Sequence, residues 1–145
     1  MYYFTLSLVL LFAVYLQDLP TYGKSEELRD LRLVYVTSDE PDSRQLVLSI
    51  LKKYEGLKIV DSPEEAEFIL ECVVKASTES LGRRRSHYLR TLMTAYKLDG
   101  GKKRILWTEN ETYEETGGMA FSRPNEVNLA RHFVSMLKKM RGEKK

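Results

Sequence analysis

The chain has 145 residues, a length typical of one globular domain. Its 23 Lys and Arg residues nearly balance its 21 Asp and Glu residues, and a formal net charge of +2 does not by itself indicate a nucleic-acid-binding protein. The single cysteine, Cys72, excludes an intrachain disulfide. No lipobox precedes Cys72, so we predict a small buried hydrophobe at this position and not a site of lipid acylation.

The N-terminal segment, residues 1–16, contains no charged side chain. It is shorter than the ~20 apolar residues that a spanning helix needs, and Asp18 and Pro20 end it. The small-x-small pattern of residues 21–23 predicts cleavage before Lys24. We therefore predict that residues 1–23 are a secretory signal peptide or an uncleaved membrane anchor, which places the remainder in the periplasm or outside the cell. A buried element of the domain is the alternative.

The next residues, 24–30, are polar and are predicted to form a tether. The β-branched, apolar run 31–37 predicts a buried strand. Residues 38–42 then supply helix-capping side chains, a proline suited to a first helical turn and acidic residues that favour the helix dipole. The predicted helix ends at Gly56 and has one apolar stripe, formed by Leu46, Val47, Ile50, Leu51 and Tyr54.

The middle of the chain predicts most of the sheet. A short strand over 57–60 is followed by a brief helix that begins at 62–65, where Ser and Glu have capping-box spacing. Apolar residues alternate over 68–76 and predict a strand with one face in the core. The later predicted elements are a loop at 81–87, a strand at 88–98 with Leu92, Tyr96 and Leu98 on one face, a glycine turn at 99–102, and a strand at 104–113 with Ile105 and Trp107 on one face.

The C-terminal part predicts a loop and a last helix. Residues 117–121 form a glycine-hinged loop with an apolar tip, and a helix that starts within 122–126 and ends at Gly142 has an apolar face. We predict one α/β (α+β) domain over 31–142 in the order β-α-β-α-β-β-β-α, with a mixed sheet, helices packed mainly on one face, and a basic tail at 143–145.

This order resembles a bacterial envelope family, and two segments carry the resemblance. Segment 60–71, Val-Asp-Ser-Pro-Glu-Glu-Ala-Glu-Phe-Ile-Leu-Glu, and the hairpin 96–108 around Asp99-Gly100-Gly101 and Trp107 are similar to its motifs. The family includes the amino-terminal domain of the Tol-system propeller protein, the lipoprotein activators of penicillin-binding proteins and the curli-secretion lipoproteins. Glu67 replaces the usual Asp, and the lipobox cysteine is absent. The resemblance implies an envelope location and a binding role, and it carries over no catalytic residue.

Two surface features are candidates for partner binding. Arg83, Arg84 and Arg85 form a basic cluster whose guanidinium groups suit phosphate or carboxylate, although a solvated loop that opposes edge pairing is the alternative. Met119 and Phe121, on the predicted glycine hinge, suit a partner's groove, or Phe121 covers the end of the sheet.

No catalytic, cofactor or metal site is predicted. Glu109, Glu111, Glu114 and Glu115 match no calcium-loop spacing, and alternate glutamates on an edge strand are usually solvated. His87 and His132 have no nucleophile nearby in the sequence. The glycosylation sequon at 110–112 has meaning only in a eukaryotic secretory setting.

These observations predict a non-catalytic exported or membrane-tethered domain that binds an envelope protein or an anionic envelope surface, with membrane association through residues 1–16 and no cofactor. Two other functions stay open. One is a small extracytoplasmic enzyme that uses the acidic cluster at 109–115. The other is a nucleic-acid or anionic-surface binder that uses Arg83 to Arg85, although no nucleic-acid partner is expected for an exported chain.

Overall fold

A computed structural model describes residues 19–115 and 124–144, without the side chains of Arg84 and Glu115. The strands are β1 (Thr21–Tyr22), β2 (Leu33–Ser38), β3 (Lys58–Ile59), β4 (Phe68–Leu81), β5 (Arg84–Asp99) and β6 (Lys102–Glu115). The α-helices are α1 (Pro41–Leu51) and α2 (Asn125–Met140), and 3₁₀ helices span Ser25–Asp30 and Pro63–Glu65. Within these residues, no helix has the length and apolar character needed to cross a bilayer.

The strands form one mixed sheet in the order β1-β6-β5-β4-β2-β3. The β2 strand runs parallel to β3 and β4, and β1 runs parallel to β6, whereas the β4-β5 and β5-β6 pairs are antiparallel. The helix α1 connects the parallel pair β2 and β3, and short turns connect the antiparallel pairs β4-β5 and β5-β6, as connection length requires. The predicted mixed α/β fold is confirmed.

The core lies between the sheet and the two α-helices. Alternate residues of β4, among them Phe68, Leu70 and Cys72, are buried against this layer, together with Met93 and Ala95 of β5. The 3.6-residue periodicity of α2 brings a second buried set onto the sheet, formed by Leu129, Ala130, Phe133 and Leu137. We call the other side of the sheet, which carries Tyr96 and Leu98, the open face.

The segment predicted as a tether is folded into the domain, so that prediction is wrong. Residues 25–30 form a 3₁₀ helix, and Leu28 is 0% exposed in the core. Before it, Thr21 and Tyr22 pair with Arg104 and Ile105 of β6. A two-residue strand and a single buried leucine are too short to give a periodic pattern in the sequence. A polar segment with one apolar side chain is therefore predicted to be solvated.

Two other local predictions are wrong. Residues 81–87 are not a loop, because β4 and β5 continue to Leu81 and Arg84 around a tight turn in which Gly82 has φ +62°. Ile105 and Trp107 do not share a face, because a β-bulge pairs them with the adjacent residues Tyr96 and Ala95. The brief helix predicted from 62–65 is the 3₁₀ turn Pro63–Glu65.

The close approach of β1 to β6 requires a glycine at residue 23. The N–H of Gly23 donates to the carbonyl oxygen of Ile105 at 2.8 Å. A Cβ atom there would lie 2.7 Å from a methyl carbon of the buried Leu106. We expect Gly23→Ala to lower the free energy of unfolding by about 1–2 kcal/mol, because the clash forces repacking. Urea unfolding of the full chain measures this change. Gly101→Ala is the comparison, because Gly101 has a positive φ but no atom near an added Cβ, so that variant reports backbone strain without a clash.

Candidate binding surface on the β4–β6 arm

The candidate site lies where three strands extend beyond the rest of the sheet. The pairing of β2 with β4 ends at Ser38 and Cys72, and from residue 74 onward β5 is the one strand that pairs with β4 among the described residues. We call residues 74–91 and 111–115 the arm. The N–H of Val74 at its start donates to the carboxylate of Asp39 at 3.1 Å, which satisfies the first free donor of the β4 edge.

The tip of the arm carries two exposed arginines of the predicted basic cluster. Arg83 lies in the turn that follows Gly82, and Arg85 pairs with Ser80 on β4. The side chain of Arg84 is outside the described part of the structure. Because the chain forms a tight hairpin here, the backbone of Arg83 is held in the turn and that of Arg85 on the adjoining strand.

A further pair of cations lies on the open face of the arm. Lys75 pairs directly with Arg90, and both side chains are exposed. Like charges directly opposite each other destabilise an antiparallel pair. Neither side chain forms a salt bridge with a described residue. The pairing depends on the β4–β5 register, which the sequence alone did not supply.

The opposite face of the arm forms a shallow groove of about 410 Å³. Its lining is mainly apolar, with Ala76, Leu89 and Tyr113 among the residues that form it. His87 lies in this groove and its Nδ1 is 3.1 Å from the hydroxyl oxygen of Thr78. His132 is engaged elsewhere, by Glu109, so the structure does not bring the two histidines into one polar network.

The predicted acidic cluster is divided between two faces. Glu109 accepts a hydrogen bond from Nδ1 of His132 at 2.8 Å, and Glu111 accepts one from the side-chain amide of Asn128 at 3.1 Å, so both contact α2. Glu114 pairs with Tyr88 on the open face. The side chain of Glu115 is not described. Within residues 19–115 and 124–144, no group of three or more His, Cys, Asp or Glu side chains is arranged to hold a metal ion.

One polar pair remains buried beneath the start of α2. Thr91 and Glu111 are cross-strand neighbours, and the hydroxyl oxygen of Thr91 and Oε2 of Glu111 have no hydrogen-bond partner among the described residues. Asn125 also lies here, where its amide donates to the carbonyl oxygens of Leu89 and Glu111. These contacts attach the first turn of α2 to the arm and so hold the arm against the core.

The cysteine is chemically inert, as its strand position predicted. Cys72 is 0% exposed, and burial raises the pKa of its thiol to about 12, with smaller contributions from the charges of Glu126 and Asp39. A thiol with that pKa holds its proton at neutral pH and is a poor nucleophile. The candidate residues Met119 and Phe121 lie outside the described part of the chain, and their role stays a prediction.

Glu67, the residue that departs from the family motif, caps the start of β2. Its carboxylate accepts hydrogen bonds from the N–H groups of Arg32 and Leu33, the latter at 2.9 Å, and these bonds lower its pKa below the ordinary value of 4.5. It borders an open cleft of about 460 Å³, together with Phe68 and Tyr96.

The lowered pKa of Glu67 predicts a pH-dependent stability. A carboxyl group with a lower pKa in the folded state stabilises the fold above its unfolded pKa, and that contribution is lost as pH falls through the folded pKa. We expect Glu67→Gln to be less stable than wild type at pH 7 and to approach wild type below pH 4.5. Urea unfolding of both chains across this window measures the difference, and a constant difference at all pH values would contradict it.

No protein-family model and no curated protein matches the chain in sequence. Among solved structures, a minor lipoprotein from Acinetobacter baumannii is similar with a TM-score of 0.50 and 13% identity, over 77% of this chain and 93% of that chain. An uncharacterised lipoprotein B from Nitrosomonas europaea has a TM-score of 0.43 and 20% identity, over 77% and 76%. A lipoprotein from Neisseria meningitidis has a TM-score of 0.40 and 12% identity, over 74% and 96%.

These similarities concern the fold. The Acinetobacter structure, a minor lipoprotein, shares the architecture of this domain. The predicted fold-level likeness to envelope lipoproteins is therefore supported, whereas the likeness to the Tol, penicillin-binding-protein activator and curli groups stays a prediction. At 13% identity the comparison transfers a fold and no residue roles.

Proposed function

We propose that this chain is a non-catalytic domain of the bacterial cell envelope, exported or tethered through residues 1–16, that binds an anionic envelope component through its arm. The observation that carries the proposal is the group of exposed cations on the arm, Lys75 and Arg90 on one face and Arg83 and Arg85 toward the tip, none of which forms a salt bridge with a described residue. The envelope fold of the similar lipoproteins supports the location.

The positive charges on the arm are unfavourable to one another when no partner is bound. Two exposed cations on directly opposite strand positions repel each other, and folding keeps them together because the register is fixed by the core residues of β4 and β5. A bound anion removes this repulsion and adds charge-assisted hydrogen bonds from the guanidinium of Arg90. The exposed cations therefore favour an anionic partner over a neutral one.

The backbone of the arm provides a second means of recognition. Beyond Val74, the outer edge of β4 has no neighbouring strand among the described residues, and neither does β6 beyond Ile105. Free strand edges accept an extended segment of a partner by strand addition, and the flanking cations then select for acidic side chains. This arrangement fits an acidic segment of another envelope protein.

The test is capture of partners from envelope extracts by the full chain in mild detergent. We expect the double variant Arg83→Glu with Arg85→Glu to lose most of the partner captured by wild type, because charge reversal replaces attraction by repulsion at the tip. The matched control, Arg131→Glu with Lys139→Glu, makes the same change of net charge on exposed positions of α2. Equal capture by wild type and the tip variant would remove the arm from the proposal.

A further inference from the structure

We infer that the end of the sheet opposite the arm rests on an anionic phospholipid surface, so that the arm points away from the membrane. We call this end, which contains the Asp99–Lys102 turn, the turn end. The inference rests on the proposed envelope location, and it is independent of the identity of the arm's partner. Three observations carry it, namely where the N-terminal segment joins the fold, which side chains the turn end exposes, and how long the sheet is.

The N-terminal segment joins the domain at the turn end. Because β1 is parallel to β6 and Thr21 pairs with Arg104, the residues before Thr21 lie toward Lys102 and away from the arm. The uncharged stretch 1–16 ends three residues before Leu19, which is the first described residue. Three residues span at most about 10 Å, so a bilayer that holds residues 1–16 lies close to this end.

The turn end exposes the side chains that a bilayer surface favours. Leu19, Tyr22 and Leu98 are 57%, 74% and 52% exposed at this end, whereas the tip of the arm exposes one large apolar side chain, Leu81, at 82%. Lys58 on β3 and Lys102 at the turn are exposed, Lys97 is half-buried, and the acidic residues Glu64, Glu67 and Asp99 are also exposed at this end. None of these lysines forms a salt bridge with a described residue. Tyrosine prefers the headgroup layer, and lysines are attracted to an anionic membrane surface.

The length of the sheet separates the two ends electrostatically. The β5 strand alone has 16 residues from the arm to the turn, which corresponds to about 50 Å. Charges are screened over about 8–10 Å at physiological salt. With the turn end docked, Arg83 and Arg85 therefore lie beyond the field of the same bilayer, and their anionic partner is a different component of the envelope.

The test measures energy transfer to headgroup-labelled lipid from a dye on Thr21→Cys at the turn end or on Ser80→Cys at the arm. The full chain is reconstituted in vesicles of phosphatidylcholine with or without phosphatidylglycerol. Both positions are exposed, and the buried Cys72 is protected from labelling. We expect strong transfer from residue 21 and severalfold weaker transfer from residue 80 in anionic vesicles.

Two triple variants of equal charge change decide which end is docked. The triple variant Lys58→Gln, Lys97→Gln and Lys102→Gln should raise energy transfer from the dye on residue 80 toward its value in neutral vesicles, because the domain then reorients freely. Neutralising Lys75, Arg83 and Arg90 to Gln should leave it unchanged. Equal transfer from both positions, no effect of the turn-end lysines, or a response to the arm variant instead would overturn the inference. The vesicles contain no other protein, so failure here leaves the capture experiment on the arm unaffected.

Discussion

Replacement of Phe133 by alanine is expected to lower the free energy of unfolding by about 3–5 kcal/mol, the largest effect of any substitution considered. Phe133 is 0% exposed and lies at the centre of α2. Its ring centroid is 6.0 Å from that of Phe68 on β4 and 5.0 Å from that of Trp107 on β6. Truncation removes the ring and leaves a cavity between helix and sheet.

The size of the effect follows from what the ring connects. Tilted aromatic pairs add about 0.5–1.5 kcal/mol beyond burial of area, and Phe133 forms two of them. Phe68 and Trp107 lie on strands that are separated in the sheet by β5. Loss of Phe133 therefore weakens the attachment of α2 across three strands at once.

The chain contains one tryptophan, which makes the measurement direct. Urea unfolding of the full chain in micelles, followed by Trp107 fluorescence, gives the free energy, and a red-shifted native spectrum would report hydration at the cavity. Ser135→Ala, on an exposed position of the same helix, is the control and should change stability by less than about 0.5 kcal/mol. A similar small change for Phe133→Ala would contradict the packing described here.

The sequence predicted the elements with a repeating apolar pattern and the turn that needs a positive backbone φ. The alternation over residues 68–76 identified a buried strand, and Gly100 and Gly101 adopt the positive φ values of +59° and +82° that the turn prediction requires. The last helix was also predicted with an apolar face, and in α2 that face buries Ala130, Phe133 and Leu137. Each of these signals is local, because the period of the element or the demand of the turn is visible within a few residues.

The parts that were missed depend on contacts between distant residues. Nothing near Leu28 indicates that its 3₁₀ helix packs on the core, and the bulge that separates Ile105 from Trp107 exists only in the pairing of β5 with β6. The candidate site was also only partly evident from the sequence. The arginines at the tip were evident as a run, whereas the opposition of Lys75 and Arg90 required the strand register.

Arg141 provides the second large effect, at a residue for which the sequence predicted no particular role. Its guanidinium donates to five oxygen atoms near the turn end. Nε donates to the carbonyl oxygen of Arg29 at 2.9 Å. Nη1 donates to the carbonyl oxygen of Gly56 at 2.8 Å and to the hydroxyl of Tyr54 at 2.9 Å, and Nη2 donates to the carbonyl oxygens of Leu31 and Leu28.

These bonds connect three segments that share no strand pairing with one another at this point. The C-terminal end of α2, the 3₁₀ helix Ser25–Asp30 and the connection after α1 are all held by one planar group. A guanidinium offers five donors in fixed directions, whereas an ammonium offers three around a point. Shape as well as charge is therefore required of this side chain.

We expect Arg141→Met to lower the free energy of unfolding by about 2–4 kcal/mol, because the stem is kept while half-buried carbonyl groups lose charged donors. Arg141→Lys should lose nearly as much, since the retained charge cannot reach the same set of acceptors. Lys139→Met, two residues earlier and exposed, is the matched control for loss of a cation at the helix end. Urea unfolding ranks the three variants. An Arg141→Lys variant as stable as wild type would contradict this prediction. The charge of the side chain, and not its fork of donors, would then hold the turn end together. Hydrogen exchange at the N–H of Leu31 would in that case remain as slow as in wild type.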